Sequence, residues 1–149
     1  MRVQFVVFDK LFLEMSWRWL NDPELKALID SPEFTKEQQR KWFDNLADRT
    51  DYLIWGLLVN DLPAGVCGIK NVTEYDCEFW GYIGEKSFWG KGVGRIMLQN
   101  MCNEAKKRNL YSIWLKVVNH NQRAIRMYKN NGFIIEKETN KLLIMRKPL

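Results

Sequence analysis

The segment WGKGVGR at residues 89–95 constrains the fold more than any other part of the chain, because it separates a strand-like run from an apolar, helix-like run. Its alternate glycines can adopt positive φ and have no Cβ, so successive backbone N–H groups can converge on one point. A helix that begins here leaves its first N–H groups unpaired and carries about half a positive charge at that end. Lys91 and Arg95 add full charges. The segment therefore predicts a strand–turn–helix unit with an anion site, most naturally for phosphate; a tight turn without a ligand is the alternative.

The other hydrophobic patterns predict an α/β (α+β) fold with a mixed, mostly antiparallel central sheet flanked by helices, in the order β-α-α-β-β-β-α-β-α-β-β. The predicted strands are Val3–Phe8, Tyr52–Val59, Pro63–Val72, Cys77–Glu85, Ser112–Val118, Phe133–Glu138 and Lys141–Arg146. Helices are predicted from Leu11 with a break at Pro23, from a capping box at Thr35, after the glycine segment, and over Asn121–Asn130. No internal repeat or linker is evident, so we expect a single domain over residues 1–149.

The composition excludes several classes of protein. No apolar run approaches the ~20 residues of a membrane span, and the first residues lack the features of a signal peptide, so we expect a cytoplasmic protein without a membrane partner. Cys67, Cys77 and Cys102 have neither a CxxC pair nor a histidine cluster beside them, so we expect buried thiols and no metal site. The net charge of +5 suits an anionic ligand. Without a basic run, zinc-finger spacing or an RNP-type motif, we expect no nucleic-acid partner.

Two common phosphate-binding patterns are also absent. The chain contains no GxxxxGK[ST] string, and its glycine spacing is GxGxG after a fourth strand rather than GxGxxG after a first one. WGKGVGRIML instead resembles the phosphate loop of the GNAT superfamily of acyl-CoA-dependent N-acyltransferases, with Trp89 in place of the usual Arg or Gln. NHNQRAIRMYKNNGF is similar to the superfamily pattern N-x-x-A-x-x-x-Y-x-x-x-G-F, and the matching residues are Asn121, Ala124, Tyr128, Gly132 and Phe133. The two motifs cover roughly residues 76–138.

This resemblance implies acetyl-CoA as the cofactor, lying between the fourth and fifth strands where these splay apart. The pantetheine arm would pair with the backbone of Tyr82, Ile83 and Gly84, since a free strand edge can bind an extended amide chain. The diphosphate would take backbone N–H groups of the glycine segment. The implied cofactor-binding residues of that segment and of the second motif are Trp89, Gly90, Lys91, Gly92, Val93, Gly94, Arg95, Asn121 and Tyr128.

The implied reaction is direct attack of a neutral amine on the thioester, which needs a base for the amine proton and an acid for the leaving thiolate. Asn121 and Tyr128 are seven residues apart and should share a helix face; the resemblance gives the Tyr128 hydroxyl the role of general acid. Two candidates for the base stay open. One is Glu78 on the fourth strand, acting directly or through water, and the other is His120. The alternative is that neither residue is catalytic, with Glu78 facing solvent on the strand and His120 lying on the surface. Lys116 replaces an acidic base that some relatives carry on the fifth strand.

The resemblance implies an acceptor pocket built from the first helices and the loops near the last strands, and we expect a small-molecule amine to bind there. WLNDPEL resembles the first-helix region of relatives that acetylate nucleotide-linked amino sugars, or ribosomal-protein N-termini and small amines, although Leu20 replaces their Arg. The candidate substrate-binding residues are Trp19, Asn21 and Trp80. Aromatic rings that stack on a sugar or uracil, and cations that hold a diphosphate, favour a nucleotide-linked amino sugar.

Two alternatives stay open at this point. A protein or peptide α-amine, or another small amine, would require an acidic groove for a cationic acceptor. A non-catalytic acyl-CoA-binding sensor would need no acid beside the sulfur, so the presence of Tyr128 argues against it. The sequence leaves the oligomeric state open, with a homodimer among the options.

Overall fold

A computed structural model describes residues 1–149 and contains one seven-stranded sheet in the order β1-β2-β3-β4-β5-β7-β6. The strands are β1 (Val3–Val7), β2 (Leu53–Val59), β3 (Leu62–Lys70), β4 (Asp76–Ile83), β5 (Ser112–Val118), β6 (Ile134–Glu138) and β7 (Leu142–Pro148). The α-helices are α1 (Lys10–Leu20), α2 (Pro23–Ile29), α3 (Lys36–Asn45), α4 (Val93–Lys107) and α5 (Gln122–Asn130). The mixed α/β fold predicted from the sequence is confirmed. None of the helices has the length and apolar character needed to cross a bilayer.

The region between β1 and β2 holds three helices, whereas the predicted order has two. The extra boundary arises at Asp22, whose side chain accepts a hydrogen bond from the N–H of Leu25 at 3.0 Å and so caps a new helix. Pro23 occupies the first position of that helix, where its missing N–H has no cost. The capping box predicted at Thr35 is present and begins α3. The break at Pro23 therefore separates two helices instead of kinking one.

The sheet opens between β4 and β5, its only parallel pair of neighbours. These strands pair only over Asp76–Glu78 and Ser112–Trp114, although β4 continues to Ile83 and β5 to Val118. Every other neighbouring pair is antiparallel. The carboxyl-terminal halves of β4 and β5 therefore diverge, and their facing backbone edges are free to bind a ligand.

Both faces of β4 are covered, by two different clusters of buried side chains. Cys77 and Phe79 belong to the larger cluster, which includes α4 and the first residues after α5. Tyr82 belongs to a smaller, aromatic-rich cluster with α1 and α2. The strand alternation predicted for this segment is thus confirmed. A ligand between β4 and β5 would have α4 on one face of the sheet and α1, α2 and α3 on the other. The second face is called the three-helix side.

Candidate active site

A groove of about 940 Å³ occupies the opening between β4 and β5. Its walls are the diverging halves of the two strands, the start of α4, one face of α5, and the segment from α2 to Pro32. Below, this cavity is called the groove. It brings together residues that are distant in sequence: Glu78 and Tyr82 on β4, Gly92 before α4, and Tyr128 on α5.

The glycine segment forms one end of the groove and has the conformation that its sequence predicts. Gly90 and Gly92 have φ of +73° and +84°, in the left-handed region that favours glycine. Gly92 is the N-cap of α4, so the unpaired N–H groups of the first helical turn begin here. A Cβ on Gly92 would meet no atom within 4 Å, which shows that the space beside it is open. Six of the seven predicted positions line the groove, namely Trp89, Gly90, Gly92, Val93, Gly94 and Arg95. Lys91 is exposed and does not line it.

Trp89, the departure from the family pattern, anchors the glycine segment internally. Its indole N–H donates to the carbonyl oxygen of Ile83 at 2.8 Å. This bond ties the segment before α4 to the last residue of β4. The bulky side chain therefore holds the loop to the strand, and the anion-binding groups that remain at this end are backbone N–H groups and the cations around them.

The backbone groups of β4 that face the groove are not the three that the resemblance implied. The Gly84 N–H donates to the carbonyl of Ala64 on β3 at 2.7 Å, so this group points away from the groove. Because backbone groups alternate along a strand, those of Tyr82 also face β3, while those of Gly81 and Ile83 face the opening. Of the three predicted pantetheine contacts, only Ile83 presents its backbone to the groove. Tyr82 lines the groove, and Gly84 does not line it.

Gly84 has a packing role instead. A Cβ at this position would lie 2.1 Å from Cδ2 of Trp19, far inside van der Waals contact. Trp19 itself is 3% exposed, and its indole N–H donates to Oε1 of Glu85 at 2.9 Å. The indole of Trp19 therefore fills the space that a side chain on Gly84 would need, and this contact packs α1 against the end of β4.

Tyr128 lies in the groove wall with its ring held by two aromatic neighbours. Its ring centroid is 6.4 Å from that of Phe79 and 5.9 Å from that of Phe133. Burial alone raises the pKa of Tyr128 to about 12. The hydroxyl is consequently protonated throughout the neutral range and can donate a proton or a hydrogen bond into the groove.

Asn121 also lines the groove, but it precedes α5 rather than sharing a helix face with Tyr128. Its Oδ1 accepts a hydrogen bond from the N–H of Ala124 at 3.3 Å, which makes it the N-cap of α5. Its Nδ2 donates to the carbonyl of Leu28 at 3.4 Å. The residue therefore joins the start of α5 to the end of α2 and holds that segment beside the groove.

The two candidate bases have different surroundings. Glu78 is 4% exposed, lines the groove, and accepts a hydrogen bond from Nδ2 of Asn71 at 2.9 Å. A solvent-facing Glu78 is thus excluded. His120 is exposed in the turn between β5 and α5 and lines neither the groove nor the smaller cavity described below. The structure brings Glu78, and not His120, into the same groove as Tyr128.

The candidate acceptor residues are also separated by the structure. Trp19 is in the core because α1 packs that face against the sheet, and Asn21 donates from Nδ2 to the carbonyl of Trp17 at 2.7 Å at the end of α1. Neither lines the groove or the smaller cavity. Trp80 lines both of these cavities.

Arg123 is a groove residue that the sequence analysis did not single out. A Cβ on Gly90 would lie 3.8 Å from both terminal nitrogens of the Arg123 guanidinium, so this cation stands over the glycine segment. The signal was present in the sequence, since Arg123 lies between Asn121 and Ala124 of the second motif. The fold adds a planar cation from α5 to the anion site at the start of α4.

These features define a class of protein with a split sheet and, at the end of the split, a glycine segment that begins a helix. The acetyltransferase (GNAT) family model matches residues 15–133, which is most of the chain. The chain therefore belongs to the GNAT family, as the two motifs predicted.

The names of two sequence relatives give different acetyl acceptors. The [ribosomal protein bS18]-alanine N-acetyltransferase of Salmonella typhimurium is 27% identical over 95 residues, which cover 64% of this chain. The alignment covers 62% of that relative, so the chain spans less than two thirds of its length. Streptothricin acetyltransferase of Streptomyces lavendulae is 39% identical over 44 residues, which are 30% of this chain and 23% of that protein.

Solved structures share the fold at low sequence identity. The Campylobacter jejuni N-acetyltransferase PseH in complex with acetyl coenzyme A aligns with a TM-score of 0.76 and 18% identity over 99% of both chains. The Vibrio cholerae spermidine N-acetyltransferase in complex with CoA and spermine aligns with a TM-score of 0.87 and 15% identity, over 98% of this chain and 95% of that one. At these identities the likeness shows the fold.

Proposed function

We propose that this protein is an acetyl-CoA-dependent N-acetyltransferase that moves the acetyl group to a primary amine by direct attack. One observation carries the proposal. A single groove combines a backbone anion site at the start of α4, free backbone on β4, and the Tyr128 hydroxyl. Acetyl-CoA has a matching group for each of these three features: a diphosphate, an extended arm with two amides, and a thioester sulfur.

The residues present fit the cofactor. The diphosphate would be held by the N–H groups of the first turn of α4 and by the Arg123 guanidinium, which suits phosphate by its planar donor geometry. The amides of the pantetheine arm would pair with the backbone of Gly81 and with the N–H of Ile83, since the Ile83 carbonyl already accepts from Trp89. Tyr128 lines the same groove, and its hydroxyl would face the sulfur of the thioester.

The chemistry assigned to this chain is proton transfer. The amine nitrogen attacks the thioester carbonyl carbon and the C–S bond breaks. Glu78, buried in the groove wall and oriented by Asn71, would take the proton that the amine loses. Tyr128 would give its proton to the leaving sulfur, and its raised pKa keeps that proton in place before the reaction. Both proton positions are restored by exchange with solvent after the products leave.

We propose a nucleotide-linked amino sugar as the acceptor. Two lysines that line the groove away from the glycine segment, Lys70 and Lys116, support this choice. The groups proposed to bind the cofactor do not include these two cations, and a phosphate group of the acceptor would pair with them. The second candidate is a protein or peptide α-amine, and the name of the Salmonella relative favours it.

The test is acetyl transfer measured as thiol release. Purified protein and acetyl-CoA are mixed with a UDP-linked amino sugar, an alanine-terminated peptide and spermidine in parallel, and the products are identified by mass spectrometry. We expect turnover with the amino sugar. Turnover with the peptide alone would replace the acceptor assignment. Calorimetric binding of CoA without turnover of any amine would favour the non-catalytic sensor, and absence of CoA binding by folded protein would refute the proposed function.

A further inference from the structure

A second cavity of about 370 Å³ lies on the three-helix side of the sheet, next to the groove. Six aromatic side chains line it, from five different parts of the fold: Phe8, Phe34, Trp42, Tyr52, Trp80 and Tyr82. We call it the aromatic cavity. Its rings meet at their edges, with Trp42 and Tyr52 6.1 Å apart and nearly perpendicular, and Tyr52 and Trp80 5.8 Å apart. These contacts fix the rings as walls of the cavity.

The aromatic cavity adjoins the groove. Both are lined by the same five residues, which are Leu20, Ser31, Pro32, Trp80 and Tyr82. Trp80 and Glu78 lie two residues apart on β4, so their side chains leave the same face of the strand about 7 Å apart. A molecule with an amine next to Glu78 therefore has its adjoining atoms at the mouth of the aromatic cavity.

The aromatic cavity differs from the groove in charge. No Asp, Glu, Lys, Arg or His lines it, and its polar lining residues are Ser16, Ser31, Gln38 and Gln39 besides the tyrosines. Ser16 and Gln39 bond to each other, with Gln39 Nε2 donating to Ser16 Oγ at 2.9 Å, and Gln38 Oε1 accepts from the N–H of Thr35 at 2.8 Å. A charged group placed here would lose its hydration without gaining a partner of opposite charge.

We propose that the aromatic cavity is the acceptor subsite and that it selects amines attached to an uncharged six-membered ring. This inference rests on the proposed function. The ring lies against Trp80 and Tyr52, and the amine extends to Glu78 in the groove. The flat face of an aromatic ring, or the face of axial C–H bonds on a saturated ring, can stack on the aromatic walls. The cavity volume accommodates one ring with small substituents. Any charged part of the acceptor remains in the groove, beside Lys70 and Lys116.

The first test compares an amine on an uncharged ring with an amine on a ring that carries a carboxylate. The probes are 2-phenylethylamine and 4-(2-aminoethyl)benzoate, with spermidine as a chain without a ring. Each is measured for kcat/KM with acetyl-CoA and for binding to the protein–CoA complex by calorimetry. We expect the neutral ring to be preferred at least about tenfold over both others, because a buried charge has no partner in the cavity. Equal use of the charged ring, or preference for spermidine, would overturn the proposal.

The second test removes one wall of the aromatic cavity. We expect Trp80→Ala to lower kcat/KM for 2-phenylethylamine about 10- to 100-fold, and Trp80→Phe to lower it less, while the KM for acetyl-CoA changes less than about twofold. Trp114→Ala is the matched control, since Trp114 is half-buried on β5 and lines neither cavity. If Trp80→Ala instead alters the preference between acetyl-CoA and octanoyl-CoA, the cavity holds an acyl chain and the proposal is wrong.

The two proposals fail in different ways. Absence of thiol release with every amine, from folded protein, contradicts the proposed function. The calorimetric titrations then still decide the occupant of the aromatic cavity, because they measure ring binding without turnover. Binding of the neutral-ring probe that is lost in Trp80→Ala and kept in Trp114→Ala supports the subsite, and absence of such binding refutes it.

Discussion

The substitution Gly84→Ala separates packing from cofactor binding at the end of β4. The resemblance to the GNAT pattern suggested that this residue contacts the pantetheine arm, but in the structure its N–H donates to Ala64 and the indole of Trp19 covers its Cα. A methyl group here would lie 2.1 Å from Trp19 Cδ2, whereas carbon atoms in contact are about 3.5–4.0 Å apart. The indole must therefore move by about 1.5 Å or the strand must shift.

The indole has little room to move. Its N–H is bonded to Glu85 at 2.9 Å, and its centroid is 6.3 Å from that of Tyr82 in an edge-to-face arrangement. Overpacking of this kind costs about 1–3 kcal/mol, and loss of a hydrogen bond to a carboxylate costs about 1.5–3 kcal/mol. We therefore expect Gly84→Ala to destabilise the protein by about 3–5 kcal/mol, which lowers Tm by roughly 10 °C.

The matched control is Gly92→Ala, where a methyl group meets no atom within 4 Å but the residue has φ of +84°. Backbone strain there costs about 1–2 kcal/mol, so Tm falls less than in Gly84→Ala. Thermal melts and calorimetric titration with CoA, below both melting temperatures, distinguish the two sites. We expect a Kd for CoA within about threefold of wild type in Gly84→Ala and at least about tenfold weaker in Gly92→Ala, where the methyl group enters the anion site. A Gly84→Ala protein that melts within about 2 °C of wild type would refute the packing argument.

Three further predictions concern the groove. Tyr128→Phe should lower kcat about 100-fold with little change in the KM for acetyl-CoA, whereas Tyr111→Phe, on an exposed ring, should change neither. Because an acid must be protonated to act and the pKa of Tyr128 is raised to about 12, this group should cause no loss of rate between neutral pH and about pH 11, which a pH–rate profile checks. Glu78→Gln should lower kcat/KM at least about 100-fold, while His120→Ala should stay within about twofold of wild type; the opposite result would make His120 the base. Arg123→Ala should raise the KM for acetyl-CoA and weaken its dependence on salt concentration, and an unchanged salt dependence would exclude this guanidinium from the anion site.

Features that depend on local backbone chemistry were predictable from the sequence. The glycine segment has the predicted positive φ values and begins a helix, because glycine conformation and helix-end polarity are properties of a few consecutive residues. The capping box at Thr35 and the alternation along β4 follow for the same reason. The extra boundary at Asp22 was missed in the element order because a Pro within a helical pattern marks either a kink or a new start.

The sequence by itself thus determined the family and the strand–turn–helix unit, since each arises from neighbouring residues and their periodicity. Only the tertiary structure decided which of two tryptophans faces a cavity: Trp19 is 3% exposed in the core, and Trp80 lines the groove. It likewise placed Glu78 inside, left His120 outside and set Arg123 over Gly90. The physical reason is that burial and juxtaposition depend on how distant elements pack against β4, and no window of consecutive residues contains that information.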